Sequence, residues 1–505
     1  MTVSGSKSKI TNVKISRPQI ILFSVIAIGI ILFLYVFTKS YVSAFTHDES
    51  FSYLNYCKES FMEIISFSNW YTNNHVLNSL FMKYSEQLFG SSEIALRLPN
   101  LLLLIVYMVY SYLLFKNTKS LLTVAMFSLM CTNCLLMDLF GLARGYGMSC
   151  GFMLMSLYHF MEYFKDSKIR NLALFHAAAL LSCLSNFTLL TFYVAIMLVY
   201  NLVAFLYAKS ISDEKYSFFK SNKLHIIPLL LVIIVLYEPV RRVLTYSTLD
   251  FGGKTGFYQD TVTALIFNTF HGTGLPSVAT LVLQIIFTCL LFISLFIIVR
   301  MIIKKNKPFF EQHLGLIVSC FLLILISVII ILLHVILGAD YPIARFSIFL
   351  FPLFMVHLGF LVHYLMSLKY DKVILAVIFS IALASMISFW QKANLYSSAE
   401  WAYDMKTKNM IQALMSHREK NNPSTGNIKL GVNWLFEPTI NFYREKMEID
   451  WLLPVDRNGI SKNDDYYYIF KDELDQLDSS EYEIIEEYKN INTLLILNIK
   501  DTDIK

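Results

Sequence analysis

His47-Asp48-Glu49 sets an imidazole beside two adjacent carboxylates. Acids in that arrangement can divide two tasks, one acting as a general base in a cavity and the other holding a cation or a hydrogen-bond donor. The same run is also a helix start, with Asp48 as the N-cap of a helix over 49–58, and the residues alone leave both readings open. Farther on, Asn73-Asn74-His75 precedes Val76, Leu77, Leu80, Phe81, Tyr84 and Leu88. That spacing describes an amphipathic helix lying on a bilayer, entered at His75 and closed by Gly90. Five arginines, Arg97, Arg144, Arg241, Arg242 and Arg345, stand beside apolar runs. A guanidinium there either snorkels to lipid headgroups or offers its fork of N–H donors to a bound phosphate.

What must position these residues is a membrane domain. Of 505 residues 56% are hydrophobic and only 16% charged, against about 25% charged in soluble domains, and the mean hydropathy is +0.54. The apolar residues collect in unbroken runs of the length a bilayer core of about 30 Å requires of spanning helices. This excludes a soluble enzyme, a nucleic-acid-binding protein and an outer-membrane barrel, whose strands would alternate. Eleven runs are predicted to span: 19–37, 98–115, 120–137, 146–164, 171–185, 187–207, 224–240, 277–300, 314–338, 343–367 and 373–390, with a tight outward hairpin at Ser185-Asn186. The first follows Lys7, Lys9, Lys14 and Arg17 and precedes a small-residue stretch, Val42-Ser43-Ala44. It is longer than a signal-peptide core of about 7–15 residues, so a retained helix with a cytoplasmic N-terminus is expected.

Charge position tests that layout. The loops it places inside carry Lys116 and Lys119; Lys165, Lys168 and Arg170; Lys209, Lys215, Lys220 and Lys223; Arg300, Lys304, Lys305 and Lys307; Lys369 and Lys372. All are basic, as the positive-inside rule demands. The five arginines then fall at outward-facing helix ends, and an anionic group bound there explains them most economically. Glu238 is placed to pair with Arg241 and Arg242, while His271 reads as an ordinary loop residue and Asp340 as a further outward acid. Gly252-Gly253 is an isolated pair, too weak for a nucleotide-binding loop.

Two domains follow: a transmembrane domain over 1–390, whose first outer loop (38–96) carries the candidate site, and a tail over 391–505. The tail holds 14 Lys and Arg against 20 Asp and Glu. It reads as a small α/β domain, with helices over 399–417 and 438–446 and strands over 428–433, 466–470 and 494–499. Eleven crossings put it outside. None of the seven cysteines lies in it, so no disulfide framework is indicated, and Cys131 and Cys134 read as small residues buried in an apolar helix.

The Asp48-Glu49 pair after the first helix, the element at His75, the interfacial helix and the stretch Phe89-Gly90 through Ser92-Glu93 to Ala95-Leu96-Arg97-Leu98-Pro99 together resemble the GT-C class of membrane glycosyltransferases. More narrowly the chain is similar to the branch of dolichyl-phosphate-mannose protein mannosyltransferases and bacterial aminoarabinose transferases. The likeness continues at Asp138, at Ala143-Arg144-Gly145-Tyr146 and at Tyr341-Pro342-Ile343-Ala344-Arg345-Phe346. It covers most of 40–350. The resemblance implies an α-helical polytopic fold with interfacial helices in the first outer loop. It also implies an inverting transfer of a hexosyl or pentosyl group from a polyprenyl-phosphate donor to a glycan, lipid or protein on the outer face of the inner or plasma membrane. By that likeness Asp48 takes the acceptor proton, Glu49 orients the donor or holds a metal, and Asp138 lies near the sugar. His75, Arg97, Arg144 and Arg345 surround the leaving phosphate. A divalent metal stands open, with His47, Glu49 and His75 as candidate ligands. The competing readings are a transporter or flippase of lipid-linked saccharides, which would carry its charges near the bilayer midplane, and a polysaccharide polymerase or ligase.

Overall fold

The computed structural model describes residues 16–69, 73–210, 218–246, 252–270, 274–303, 312–368, 371–421, 426–461, 464–477 and 482–499; His271 lies outside them. The helices are, in chain order, α1 (Arg17–Val42), α2 (His47–Ser52), α3 (Phe61–Ile65), α4 (Val76–Phe89), α5 (Glu93–Phe115), α6 (Ser120–Cys131), α7 (Cys134–Phe140), α8 (Gly145–Asp166), α9 (Ile169–Ser185) and α10 (Leu190–Ser210). They continue with α11 (Phe218–Tyr246), α12 (Thr263–Thr269), α13 (Ser277–Ile303), α14 (Leu314–Leu337), α15 (Leu350–Leu365), α16 (Asp371–Lys392), α17 (Thr407–Asn421) and α18 (Glu437–Lys446).

Each of the eleven predicted runs lies on helical structure, but the count of eleven crossings is not confirmed. Among the described residues seven helices are long and apolar enough to cross a membrane, or eight if α6 and α7 form one bent span. The shortfall has physical causes. α9 and α15 have 17 and 16 residues, short of the roughly 20 that a straight span needs. α8 carries Ser149, Ser156 and His159 and is buried along most of its length, packed inside the bundle. The run predicted as one helix over 120–137 breaks by 70°, because the Asn133 side chain accepts a hydrogen bond from Leu136 N–H at 2.9 Å and starts a new helix.

The segment expected to form the first outer loop folds as α2, a π turn over Tyr53–Cys57, α3 and α4. α4 is amphipathic as expected: Val76, Leu77 and Leu80 are buried, while Leu88 is 74% exposed. The helix start at Asp48 is corrected by two positions. Thr46 is the N-cap, and Glu49 closes the capping box by accepting from Thr46 N and Oγ1, both at 3.0 Å. Asp48 therefore sits inside the first turn, its carboxylate free to face other residues.

The tail forms a four-stranded sheet from β1 (Leu430–Val432), β2 (Tyr466–Phe470), β3 (Tyr482–Tyr488) and β4 (Thr493–Asn498), in the order β1-β2-β4-β3. β1 pairs parallel to β2, and the β2–β4 and β3–β4 pairs are antiparallel. α17 and α18 supply Leu414 and Ile440 to a core shared with Leu430, Val432 and Tyr468.

Candidate active site

α2 is held from both ends of the chain. His47 N–H donates to Asp404 Oδ2 at 2.6 Å and Phe45 N–H to the Tyr443 hydroxyl at 2.8 Å, while the Phe45 ring stacks on Phe442 at 4.3 Å. The tail thus fixes the start of the helix that carries the two acids. Its grip is reinforced at the head of α5, where Glu93 accepts from Lys408 at 2.8 Å, from Tyr443 at 3.2 Å and from Lys446.

Asp48 lies buried between two guanidinium groups, its Oδ2 3.5 Å from Arg144 Nη2 and 3.3 Å from Arg345 Nη2. Burial pushes its pKa upward, but Arg144 and Arg345 together outweigh burial and hold it below the usual carboxylate range. The group is an ionised carboxylate at neutral pH. Trp401 beside it adds to that lowering.

Each arginine is anchored by its own element. Arg144, the residue before α8, gives Nη1 to Asp48 O at 3.2 Å, Ser52 Oγ at 2.6 Å and Asn73 O at 3.1 Å, and Nη2 to Asn73 Oδ1; its buried Nε has no partner. It pins α2 to the chain entering α4. Arg345 stands in a 3-10 turn ahead of α15, with Nε 3.3 Å from the Tyr146 hydroxyl and Nη1 on Glu400. The turn is placed in part by Gly253, which pairs with Tyr341 across an antiparallel bridge. A Cβ on the neighbouring Gly252 would lie 2.4 Å from Tyr341 O, so the glycine pair serves close backbone approach.

Glu49 and Arg97 depart from the expected roles. Both are fully buried and bind each other bidentately, Nε to Oε1 and Nη2 to Oε2, each at 2.7 Å. The remaining N–H groups of Arg97 go to Ser40 O, Ser43 O and Oγ, and Ala44 O at 2.8–3.0 Å. Arg97 has no donor left for a phosphate. Glu49 Oε1 also accepts from Ala143 N–H at 2.6 Å, which sets the loop carrying Arg144. The pair is a keystone joining α1, α2, α5 and that loop.

His75 is corrected as well. Its Nδ1 lies 2.7 Å from Ser185 O, and a carbonyl only accepts, so Nδ1 carries the proton. Burial, followed by the charge of Arg144, lowers its pKa well below the imidazole value and keeps the ring neutral. The buried Nε2, without a partner, is then a lone-pair acceptor suited to a hydroxyl and unsuited to a phosphate oxygen. The ring stands edge-on to Tyr146 at 4.5 Å. Gly145 makes this approach possible, since a Cβ there would lie 1.8 Å from Ser185 O and 2.8 Å from the imidazole. Gly145→Ala is therefore expected to displace His75 and lower the activity of the purified protein at least ten-fold, of the order that a shift of about 1 Å in a site costs; unchanged turnover would contradict this placement.

Other expected residues lie elsewhere. Asp138 forms a buried pair with Lys39 at 2.6 Å, and its Oδ2 accepts from Ala399 N–H at 3.2 Å. Its carboxylate is spent on these partners. Arg241 and Arg242 are held by Glu238 at 2.7 and 2.6 Å, and Arg242 Nη1 also reaches Ser68 O at 3.2 Å. His47 turns Nδ1 to Leu435 O at 2.7 Å and meets the edge of Trp434. The metal candidates His47, Glu49 and His75 thus face three different sets of partners, and no group of three or more His, Cys, Asp or Glu converges among the described residues. They do not fit as a ligand set.

Sequence reasoning missed Glu400, Trp401 and Asp404. The available signal was position: they directly follow the last apolar run, where the chain leaves the membrane beside the site. Tyr146 and Asn73 stood within quoted motifs without a role. An apolar cavity of about 390 Å³ opens between α12, α13, α14 and α15, lined by Tyr258, Leu265, Phe287, Leu323, Leu350 and Phe354. Its wall includes the first turn of α15, just after Arg345.

No protein-family model matches the sequence, and no curated protein is significantly similar to it. Solved structures share its fold. The apo crystal structure of ArnT, an aminoarabinose transferase, from Cupriavidus metallidurans matches 96% of this chain and 99% of its own at a TM-score of 0.55 and 10% identity. The same protein bound to undecaprenyl phosphate matches 95% and 98%, at 0.53 and 10%. The archaeal oligosaccharyltransferase AglB from Archaeoglobus fulgidus, in complex with an inhibitory peptide and a dolichol-phosphate, covers 89% of this chain and 70% of its own at a TM-score of 0.43 and 12% identity. At 10% identity, what this chain shares with ArnT is its fold, from the first helix into the tail.

Proposed function

We propose that this chain is an inverting membrane glycosyltransferase that moves a sugar from a polyprenyl-phosphate donor to a hydroxyl of a glycan, lipid or protein acceptor. The observation that carries the reading is the Asp48 carboxylate held between Arg144 and Arg345. The ArnT fold supports it, since that protein binds undecaprenyl phosphate. In the proposed step the acceptor oxygen bonds to the anomeric carbon as the bond from that carbon to the phosphate oxygen breaks. The electron pair leaves with the lipid phosphate, and the acceptor proton passes to Asp48. Arg345, together with the free Nε of Arg144, stabilises the charge growing on the phosphate. His75 Nε2 accepts from a hydroxyl of the sugar.

The resting geometry makes the base conditional. While both arginines face Asp48, its pKa is depressed and it is a weak proton acceptor. A phosphate that draws the guanidinium groups toward itself removes part of that stabilisation and raises the pKa, so the acid becomes a better base when the donor is in place. The apolar cavity beside α15 suits the isoprenoid chain, and the tail faces the acceptor from outside the cell, with the N-terminus cytoplasmic.

Arg345→Ala is expected to weaken undecaprenyl phosphate binding about ten- to a hundred-fold while leaving the acceptor KM nearly unchanged. Equal lipid affinity in a titration would refute the assignment. In a deletion strain, mass spectrometry should find one sugar missing from a surface glycan, glycolipid or glycoprotein and its polyprenyl-phosphate form accumulating. An intact sugar profile would overturn the transferase reading.

A further inference from the structure

Arg345 already holds an anion, supplied by the tail. Glu400 spends both carboxylate oxygens on it: Oε1 accepts from Arg345 backbone N–H at 3.1 Å and Oε2 from Nη1. The next residue, Trp401, lays its ring 4.8 Å from the Arg345 guanidinium. This short segment is tied down on either side, by Ala399 N–H on Asp138 and by Asp404 on His47 N–H. It therefore lies as a strap across Arg345.

The charges in the site balance: Arg144 and Arg345 against Asp48 and Glu400. A polyprenyl-phosphate sugar is a phosphodiester with one negative charge, so its arrival adds an uncompensated anion unless a carboxylate withdraws. Asp48 is the less mobile of the two. It is set within α2 and faces both arginines, and its side chain is 11% exposed. Glu400 faces Arg345 alone through its carboxylate, and its side chain is 18% exposed. Removing it leaves the site one positive charge in excess, which is the charge the donor neutralises.

We propose that Glu400 is a place-holding carboxylate, which the donor phosphate displaces from Arg345, so that the tail's strap gates access of the lipid donor. The proposal rests on the reading of Arg345 as a phosphate-binding residue and adds the group with which the phosphate competes. It predicts an unusual sign: removing a charged contact of Arg345 improves binding. A role in merely orienting Arg345 predicts the opposite.

The test is a titration of the purified full chain in detergent with undecaprenyl phosphate, followed by tryptophan fluorescence and by native mass spectrometry, for wild type, Glu400→Gln, Glu400→Ala and Arg345→Ala. Both Glu400 variants are expected to bind about five- to ten-fold tighter than wild type, the size of a partly exposed ion pair, and the advantage should shrink as salt is raised. Affinity equal to or weaker than wild type in both variants would overturn the gate while leaving Arg345 as the phosphate residue. Should Arg345→Ala bind as well as wild type, or wild type fail to bind, the reading of Arg345 falls and the gate with it. Thermal unfolding of each variant identifies a folding defect, and the two substitutions at one position guard against it.

Discussion

Asp48→Asn is expected to lower sugar transfer by about 10²- to 10⁴-fold, the span that general-base catalysis commands, with the fold intact and thermal stability below that of wild type, because the ionised carboxylate's pairing with Arg144 and Arg345 is lost. Asn is nearly the same size, so the fold around α2 is preserved while the proton acceptor is lost. Binding of undecaprenyl phosphate should survive or improve, because the variant no longer competes for Arg144 and Arg345. The pH dependence carries the same signature. Asp48 is depressed below the usual carboxylate range, so its contribution to stability is complete above the unfolded-state value and is lost as pH falls through the folded one. The acid limb of kcat/KM in the wild type should likewise lie below that range, since this ratio reports the free enzyme. Turnover of the purified Asn variant within a few-fold of wild type would end the assignment of Asp48 as base.

The second large effect is on stability. Glu49→Ala is expected to cost roughly 3–5 kcal/mol, because it leaves the fully buried Arg97 guanidinium without its counter-charge. A double replacement, Glu49→Leu with Arg97→Met, should recover part of that loss, since no unpaired charge remains. The Ser40, Ser43 and Ala44 carbonyls that now accept from Arg97 would still lack a donor, so recovery is incomplete. Thermal unfolding of the purified variants measures both. If Glu49→Ala melts with wild type, the keystone role is wrong. The contrast with Asp48→Asn separates two neighbours that look equivalent in the chain: one change removes chemistry from a standing fold, the other removes the fold's support.

That separation shows where the sequence was legible. The Asp48-Glu49 pair supported both a helix start and a general base, and the two readings turn out to be compatible. α2 does begin there, but Thr46 caps it and Glu49 closes the box, so Asp48 is released to face the arginines. Charge position singled out Arg144 and Arg345, which the fold brings together at Asp48. It could not tell them from Arg97, because an arginine at a helix end looks the same whether its fork meets open space or the carbonyls of α1's last turn. That distinction belongs to tertiary packing. His75 was found by its place before α4, but its role turned on Ser185 O, more than a hundred residues away, which fixes the tautomer. In the tail, β3 escaped notice because Glu483, Glu486 and Glu487 face solvent along it. As an edge strand it lacks the apolar alternation by which β2 and β4 are recognised. The α6–α7 bend was hidden by a hydrophobic run that continues straight through Asn133.

The hydrogen bond from His47 to Asp404 spans 357 positions of chain, and that from Phe45 to Tyr443 spans 398. During synthesis α2 is therefore made early and held late. Until the tail has been made and delivered to the face of the membrane where α2 waits, the helix start has no cap from Asp404, and neither Trp401 nor Glu400 is present beside the arginines. The contacts of α2 with Asp404 and Tyr443 can therefore form only after the last hydrophilic segment has been made.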